Sequence, residues 1–145
     1  MSVTALICLV VAISDGDTLT ARCGNTGTVQ QVKVRIAAID APESKQAFGV
    51  RSKENLSRLC FRQQATLQPL DRDDYGRTVA KVRCAGRDVA AAQVSAGLAW
   101  VYTPYAKKHP QLVPLQERAQ ADRMGLWSQK RPQAPWTYRH RHSQR

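Results

Sequence analysis

The sequence predicts a small α+β protein, mainly β, and three observations lead to this prediction. Five strand-like segments lie within the first 85 residues, a helix pattern separates the third from the fourth, and two more helix patterns follow. Short strands with a single intervening helix are typical of an OB-type barrel. We therefore expect a five-stranded OB-type barrel with about three helices, and 145 residues are enough for one core.

The first three segments predict a hairpin followed by a third strand. Residues 3–12 are apolar and rich in β-branched side chains, and residues 18–23 follow across a turn at Gly16. A second turn signal covers residues 24–27. Residues 28–39 then alternate apolar and polar side chains, which indicates a strand with one buried face.

The later segments alternate between helix and strand patterns. Residues 48–61 carry an apolar stripe at helical spacing, and residues 65–70 and 78–84 are predicted strands. Residues 88–96 form an alanine-rich helix pattern that begins with aspartate and is followed by glycine. The last predicted helix covers residues 110–124, and a glycine follows it.

The net charge of the sequence favours some classes of binding partner over others. Lys and Arg number 22 against 11 Asp and Glu, a formal charge of +11, which favours a polyanionic partner such as nucleic acid. Loose adhesion to anionic lipid is the open alternative. No segment approaches the 18 apolar residues of a membrane span, so we expect none. We place the domain at residues 1–128 and expect residues 129–145 to form a basic, flexible tail.

The four cysteines suggest two disulfide bonds. Cys8 lies eight residues before Gly16 and Cys23 seven after it, so the predicted hairpin brings them opposite each other. Cys60 and Cys84 are then left to pair with each other. Four reduced thiols in a cytosolic protein are the open alternative, because spacing alone proves no connectivity.

Three polar clusters hold the residue types that metal-assisted cleavage of a phosphodiester requires. They are DGDT at residues 15–18, Arg35 followed by Asp40 and Glu43, and DYGR at residues 74–77. Carboxylates bind a hard cation or activate water, and guanidinium groups hold phosphate oxygens. Each cluster alone also has a structural explanation, because aspartate beside glycine is typical of turns and a strand arginine is commonly a solvated charge.

The order and spacing of these clusters resemble the staphylococcal-nuclease-like, or thermonuclease, family. Further matching elements are residues 34–36, 39–43 and 94–100 and GLWS at residues 125–128, so the resemblance covers residues 5–128. It implies a hydrolase that cleaves phosphodiester bonds of DNA and RNA, as an endonuclease or exonuclease, with little sequence preference. It also implies products with 3′-phosphate ends and one Ca²⁺ per chain.

The resemblance implies a metal site with few protein ligands. Asp17, Asp40 and the backbone carbonyl of Ala41 would hold the calcium ion, while Asp15 would hold the turn. Ala41 stands where the family commonly has threonine, and a carbonyl ligand survives that change. Water and a substrate phosphate oxygen would complete the shell, and we expect weak binding.

The resemblance also implies a phosphate clamp and a base. Arg35 and Arg77 would hold the phosphate in the transition state, and Glu43 would be the general base or orient the attacking water. Tyr75 and Tyr102 would contact the nucleotide, since bases stack on aromatic rings irrespective of sequence.

Two features of the sequence complicate this site. Successive side chains of a strand point to opposite faces, which puts Arg35 and Asp40 on opposite faces of a flat strand. They converge only if the barrel curls or the chain has left the strand by Asp40. In addition, Asp73 and Asp74 precede Tyr75, where family members often carry lysine.

The alternative function is a non-catalytic nucleic-acid-binding module of the same fold, for which we expect missing acidic or arginine positions. A third hypothesis is that the basic tail anchors the protein to a partner or an anionic surface. The paired cysteines and the resemblance predict a periplasmic or secreted monomer, whose signal peptide is absent from the sequence given.

Overall fold

The computed structural model describes residues 5–24 and 27–143. Residues 3 and 4 of the first predicted strand, and Asn25 and Thr26 of the predicted turn, lie outside the described residues. The strands are β1 (Leu6–Asp15), β2 (Thr18–Cys23), β3 (Gln30–Ile36), β4 (Ile39–Asp40), β5 (Gln64–Arg72), β6 (Thr78–Cys84), β7 (Arg87–Asp88) and β8 (Trp100–Val101). The helices are α1 (Gly49–Cys60), α2 (Val89–Ser95), α3 (Leu112–Ala121) and α4 (Pro135–Ser143), with 3₁₀ turns at Thr103–Lys108 and Gly125–Ser128.

Five strands close into a barrel, which confirms the predicted α+β fold class of the OB type. Antiparallel pairing joins β3 to β2, β2 to β1, β1 to β5 and β5 to β6. Parallel pairing of β3 with β6 closes the ring. Closure leaves these strands without free edges, so their backbone groups are satisfied within the barrel. None of the described helices is long and apolar enough to cross a membrane.

The core fills the barrel and extends under α1. Alternate side chains of β2 and β3 face inward, including the fully buried Leu19 and Val34. On α1, Ser52, Leu56 and Cys60 recur every fourth residue and are all buried. Full burial of one leucine side chain stabilises a fold by about 1.5–3 kcal/mol.

Both predicted disulfide bonds are present. Cys8 and Cys23 are register partners in the β1–β2 hairpin, with Cα atoms 4.3 Å apart. Cys60 ends α1 and Cys84 ends β6, with Cα atoms 5.3 Å apart. The second bond therefore ties α1 to the barrel wall.

The third strand ends earlier than the sequence predicted. β3 stops at Ile36, and Ala38 takes a left-handed conformation with φ of 74°. The chain then pairs Ile39 with Val101 and Asp40 with Trp100, in the small β4–β8 sheet. The chain has thus left the strand by Asp40, which removes the parity conflict with Arg35.

A fourth helix, which the sequence analysis did not predict, lies within the predicted tail. α4 packs Trp136 against Trp100 and Tyr102, with ring centroids 5.5 Å apart in both pairs. Pro135 at its start is buried. The domain boundary at residue 128 and the flexibility of residues 129–145 stay predictions.

Gly97, after α2, and Gly125, after α3, let these two segments contact each other through their backbones. The Leu126 N–H donates a hydrogen bond of 2.8 Å to the Gly97 carbonyl. Gly97 has φ of +70°, and a Cβ there would meet the Met124 carbonyl oxygen. Any side chain at Gly97 would therefore add a backbone clash to an unfavourable dihedral angle.

We expect Gly97→Ala to lower the free energy of unfolding by about 3 kcal/mol, since it combines left-handed strain with a clash. Gly86→Ala is the matched control, because Gly86 has φ of +79° but no atom within 4 Å of an added Cβ. It should cost about 1 kcal/mol. Urea unfolding followed by circular dichroism measures both, and equal losses would contradict the packing argument.

Candidate active site

A groove of about 560 Å³ lies where the β1–β2 turn, the exit of β3 and the β5–β6 loop meet. Four acidic and four basic side chains and one tyrosine line it: Asp15, Asp17, Asp40, Glu43, Lys33, Arg35, Arg77, Arg139 and Tyr75. Carboxylates, which suit hard cations, and guanidinium groups, which suit phosphate, therefore share one concave surface. Six of these nine were predicted as site residues: Asp17, Asp40, Glu43, Arg35, Arg77 and Tyr75.

Strand register explains why distant parts of the sequence meet in the groove. Arg35 is the partner of Thr18 in the β2–β3 pair and of Val79 in the β3–β6 pair. The Ile36 N–H also donates to the Asp17 carbonyl at 2.8 Å. Barrel closure thus sets Arg35 beside both the turn that carries Asp17 and the strand that follows Arg77.

Asp17 lies in a turn that is held from several sides. Its Oδ2 accepts a hydrogen bond of 2.7 Å from the Ala41 N–H, and its Oδ1 accepts one of 2.9 Å from the Thr18 hydroxyl. The buried Gln93 donates to the Gly16 carbonyl at 2.8 Å. The carboxylate is therefore fixed and 6% exposed.

Arg35 lies between the two buried carboxylates. Its Nη2 is 3.4 Å from Asp17 Oδ2 and 3.4 Å from Asp40 Oδ1, while its Nη1 donates to the Ile36 carbonyl at 2.8 Å. Burial alone would raise the pKa of Asp17, but the Arg35 charge and its hydrogen bonds hold that pKa below its ordinary value. Burial raises the pKa of Asp15 to about 7, and the adjacent Asp17 adds to this shift.

Asp40 is almost fully covered by guanidinium groups. Arg139 donates to Asp40 Oδ2 at 2.6 Å and to Oδ1 at 3.0 Å, and the Asp40 side chain is 2% exposed. The same Arg139 donates to Glu43 Oε1 at 2.8 Å. Burial raises the pKa of Asp40, and the hydrogen bonds from Arg139 and the charge of Arg35 oppose this shift.

Glu43 differs from the buried pair because its side chain is 37% exposed. It follows Pro42 in a loop that Gln46 closes by two hydrogen bonds. The Gln46 N–H donates to the Glu43 carbonyl at 2.9 Å, and the Glu43 N–H donates to Gln46 Oε1 at 3.1 Å. A carboxylate held at the groove wall and open to solvent can contact water.

Arg77 is oriented by an aspartate whose role the sequence analysis missed. Its Nε donates to Asp73 Oδ2 at 2.6 Å, and Asp73 Oδ1 accepts the N–H groups of Tyr75 and Arg77 at 3.0 and 2.9 Å. An aspartate that bonds backbone N–H groups further along is a known turn signal, which could have identified Asp73.

The two predicted nucleotide contacts lie in different surroundings. Tyr75 is 84% exposed at the groove, with its ring 5.3 Å from the Arg77 guanidinium carbon. Tyr102 lines an adjoining cavity of about 170 Å³ that shares Arg35 and Arg77 with the groove. Trp100, in contrast, packs on Trp127 with ring centroids 4.5 Å apart.

Among the described residues, no group of three or more His, Cys, Asp or Glu side chains is arranged to hold a metal ion. The chemistry of the donors still fits a hard cation, because two carboxylates, Asp17 and Asp40, converge on one guanidinium nitrogen. Ala41 lies against Asp17 through its N–H. A cation here would have few protein ligands, and the assigned roles stay predictions.

Arg139, like Lys33, is a groove residue that no sequence pattern indicated. It lies in a basic segment with several other arginines, and nothing in the spacing distinguishes it from Arg131 or Arg141. Only the position of α4 brings it to Asp40, 99 residues away in sequence.

Comparison with known proteins gives consistent matches. Residues 33–129 match the family described as Staphylococcal nuclease homologue. An uncharacterized endonuclease of Haemophilus influenzae is 42% identical over 132 residues, covering 91% of this chain and 72% of that protein. The micrococcal nuclease of Shigella flexneri is 38% identical over 140 residues, covering 90% of this chain and 78% of that protein. An uncharacterized endonuclease of Escherichia coli is 38% identical over 133 residues, covering 91% and 84%.

We expect Asp73→Ala to lower the free energy of unfolding by about 1–2 kcal/mol, because the turn loses two backbone hydrogen bonds and the Arg77 ion pair. Asp74→Ala is the matched control, since Asp74 is the exposed neighbour in the same turn. Its effect should stay within about 0.5 kcal/mol. Urea unfolding checks both variants, and similar values would show that Asp73 does not hold the turn.

Proposed function

This chain belongs to the staphylococcal nuclease family, and on that premise we propose that it is a calcium-dependent nuclease that hydrolyses phosphodiester bonds of DNA and RNA. The proposal includes 3′-phosphate products, little sequence preference and action as a monomer outside the cytoplasm. The convergence of Asp17, Arg35, Asp40, Glu43 and Arg77 on one groove is the observation that carries it.

Asp17 and Asp40, with the carbonyl of Ala41, are the residues that would hold the calcium ion. When bound, the ion would neutralise charge on the substrate phosphate as a Lewis acid. Arg35 already holds the two carboxylates together, so the pair is organised before a cation arrives. A preorganised pair costs less to assemble in the transition state.

Glu43 is proposed to take a proton from the attacking water or to orient that water. Its exposed carboxylate at the groove wall suits this role, while the more buried carboxylates suit the cation. Proton transfer to Glu43 leaves hydroxide to attack phosphorus. The P–O bond on the opposite side breaks, the leaving oxygen takes a proton from solvent, and Glu43 returns its proton to solvent.

Arg35 and Arg77 are proposed to hold the equatorial phosphate oxygens, where negative charge increases in the transition state. A planar guanidinium donates two parallel hydrogen bonds to such oxygens, which a lysine ammonium group does not. The Asp73 carboxylate fixes the Nε side of Arg77, so its terminal nitrogens remain for the phosphate.

The surface supports a polyanionic substrate with varied bases. The formal charge of +11 attracts nucleic acid at long range. The exposed ring of Tyr75 and the ring of Tyr102 in the adjoining cavity offer stacking surfaces, and stacking is tolerant of sequence. A non-catalytic binding module would also use this charge, but it has no need of the complete set of carboxylates and arginines.

We expect Glu43→Ser and Arg77→Ala each to lower kcat for DNA cleavage by about 10²–10³-fold while circular dichroism stays unchanged. Glu54→Ser and Arg83→Ala are the matched controls, because both residues are exposed and lie outside the groove. The controls should keep full activity. Wild-type turnover in Glu43→Ser or Arg77→Ala would contradict the role assigned to that residue.

We also expect cleavage of plasmid DNA and of RNA to stop in excess chelator and to return when calcium is added back. The reason is that, without the ion, no Lewis acid at Asp17 and Asp40 would neutralise the charge that develops on the substrate phosphate. Gel assays at graded free calcium measure this dependence. Digestion that persists fully in excess chelator would remove calcium from the proposal, and binding without cleavage would favour the non-catalytic module.

A further inference from the structure

The helix α4 lies across the carboxylate side of the groove and inserts one arginine into it. We propose that Arg139 is an internal cation that occupies the carboxylate site and keeps the protein inactive until a divalent cation displaces it together with α4. This inference rests on the proposed nuclease function for its consequence, but the contact itself can be tested by metal binding alone.

The contacts of Arg139 match those expected of a stand-in cation. Its two terminal nitrogens donate to both oxygens of Asp40, at 2.6 and 3.0 Å, and one of them also donates to Glu43 at 2.8 Å. Bidentate pairs between guanidinium and carboxylate are among the stronger ion pairs in proteins. Arg139 therefore bridges the proposed metal ligand and the proposed base.

This geometry makes the arginine and a bound cation competitors. Both Asp40 oxygens already accept hydrogen bonds from Arg139 and the Asp40 side chain is 2% exposed, so a cation that approaches Asp40 competes with Arg139 for the same oxygens. The Glu43 oxygen that accepts from Arg139 is likewise engaged, which opposes proton transfer from water. Without Arg139, Asp40 loses the guanidinium nitrogens at 2.6 and 3.0 Å from its two oxygens, and a cation can take their place.

Among the described residues, α4 is attached through side chains and not through strand pairing. Besides the Arg139 ion pairs, the Trp136 ring packs on Trp100 and Tyr102 and Pro135 is buried, and just before the helix Gln46 donates a hydrogen bond of 2.7 Å to the Gln133 carbonyl. The Arg139 side chain is 44% exposed. Residues 129–134, which join α4 to the body, form no helix or strand. Displacement of α4 thus requires no change in the barrel.

The competing role for Arg139 is to contact the substrate phosphate beside Arg35 and Arg77. The two roles predict different effects on metal binding and on cleavage. As an internal cation, Arg139 weakens metal binding, and its removal makes the protein active at lower calcium. As a phosphate contact, it leaves metal binding unchanged, and its removal lowers cleavage at saturating calcium.

Isothermal titration calorimetry with calcium chloride alone tests the contact on the full chain. We expect Arg139→Gln to bind calcium about tenfold more tightly than wild type, which corresponds to about 1.4 kcal/mol. Arg141→Gln is the matched control, because Arg141 is an exposed arginine on the same helix and does not line the groove. Its calcium affinity should equal that of wild type.

A second variant and a second measurement report on the helix itself. Trp136→Ala removes the aromatic anchor and should tighten calcium binding in the same direction as Arg139→Gln. Trypsin cleavage after Lys130 in the wild type, identified by mass spectrometry, should accelerate severalfold in calcium. In Arg139→Gln, cleavage there should already be fast without calcium.

The outcomes separate this inference from the proposed function. Equal calcium affinity in wild type, Arg139→Gln and Trp136→Ala, or no calcium binding in any of them, would overturn the inference. Lower cleavage by Arg139→Gln at saturating calcium with unchanged affinity would also overturn it. If calcium binding tightens as expected but none of these proteins cleaves DNA or RNA, the inference stands and the proposed function fails.

Discussion

The Arg35 guanidinium lies between two carboxylates that the fold buries almost completely, and the organisation of the groove depends on this arrangement. Desolvation of each carboxylate is costly, and an unpaired buried charge destabilises a fold by several kcal/mol. Asp17 and Asp40 can therefore share one small volume only because a cation lies there with them. The same requirement makes the site suitable for a metal ion, because either an arginine of the chain or a cation from solution can balance the charge of the two carboxylates.

Closure of the barrel places Arg35 in the groove. The parallel β3–β6 pair closes an otherwise antiparallel barrel, and it puts Arg35 next to Val79, directly after the loop of Arg77. The exit of β3 then turns through Ala38 and pairs Asp40 with Trp100. Asp17, Asp40, Arg35 and Arg77 thus each come from the end of a strand or from a tight turn attached to one, which limits the freedom of these side chains.

Charge in the groove is balanced by four acidic and four basic side chains, and the origin of the cations differs. Arg35 and Arg77 are fixed by the barrel and by Asp73. Arg139 comes from α4, which also packs Trp136 on Trp100 and Tyr102. A fixed arginine stabilises charge without leaving. In the exchange that we propose, Arg139 is instead the positive charge that another cation replaces at the same carboxylates.

The sequence by itself predicted the barrel strands, the α1 helix and the Cys8–Cys23 pair, because hydrophobic periodicity and the hairpin register are local. It gave Cys60–Cys84 only as the remaining pair, and the structure has both bonds. The motif at residues 15–18 and the positions of Arg35, Asp40 and Glu43 also identified the groove. Only the tertiary structure showed that the chain leaves β3 before Asp40, and that Asp73 orients Arg77. It alone brought Arg139 to Asp40, since that contact depends on where α4 packs and not on any pattern around Arg139. Local rules predict elements and turns, but a charge pair separated by 99 residues forms only when the whole fold is assembled.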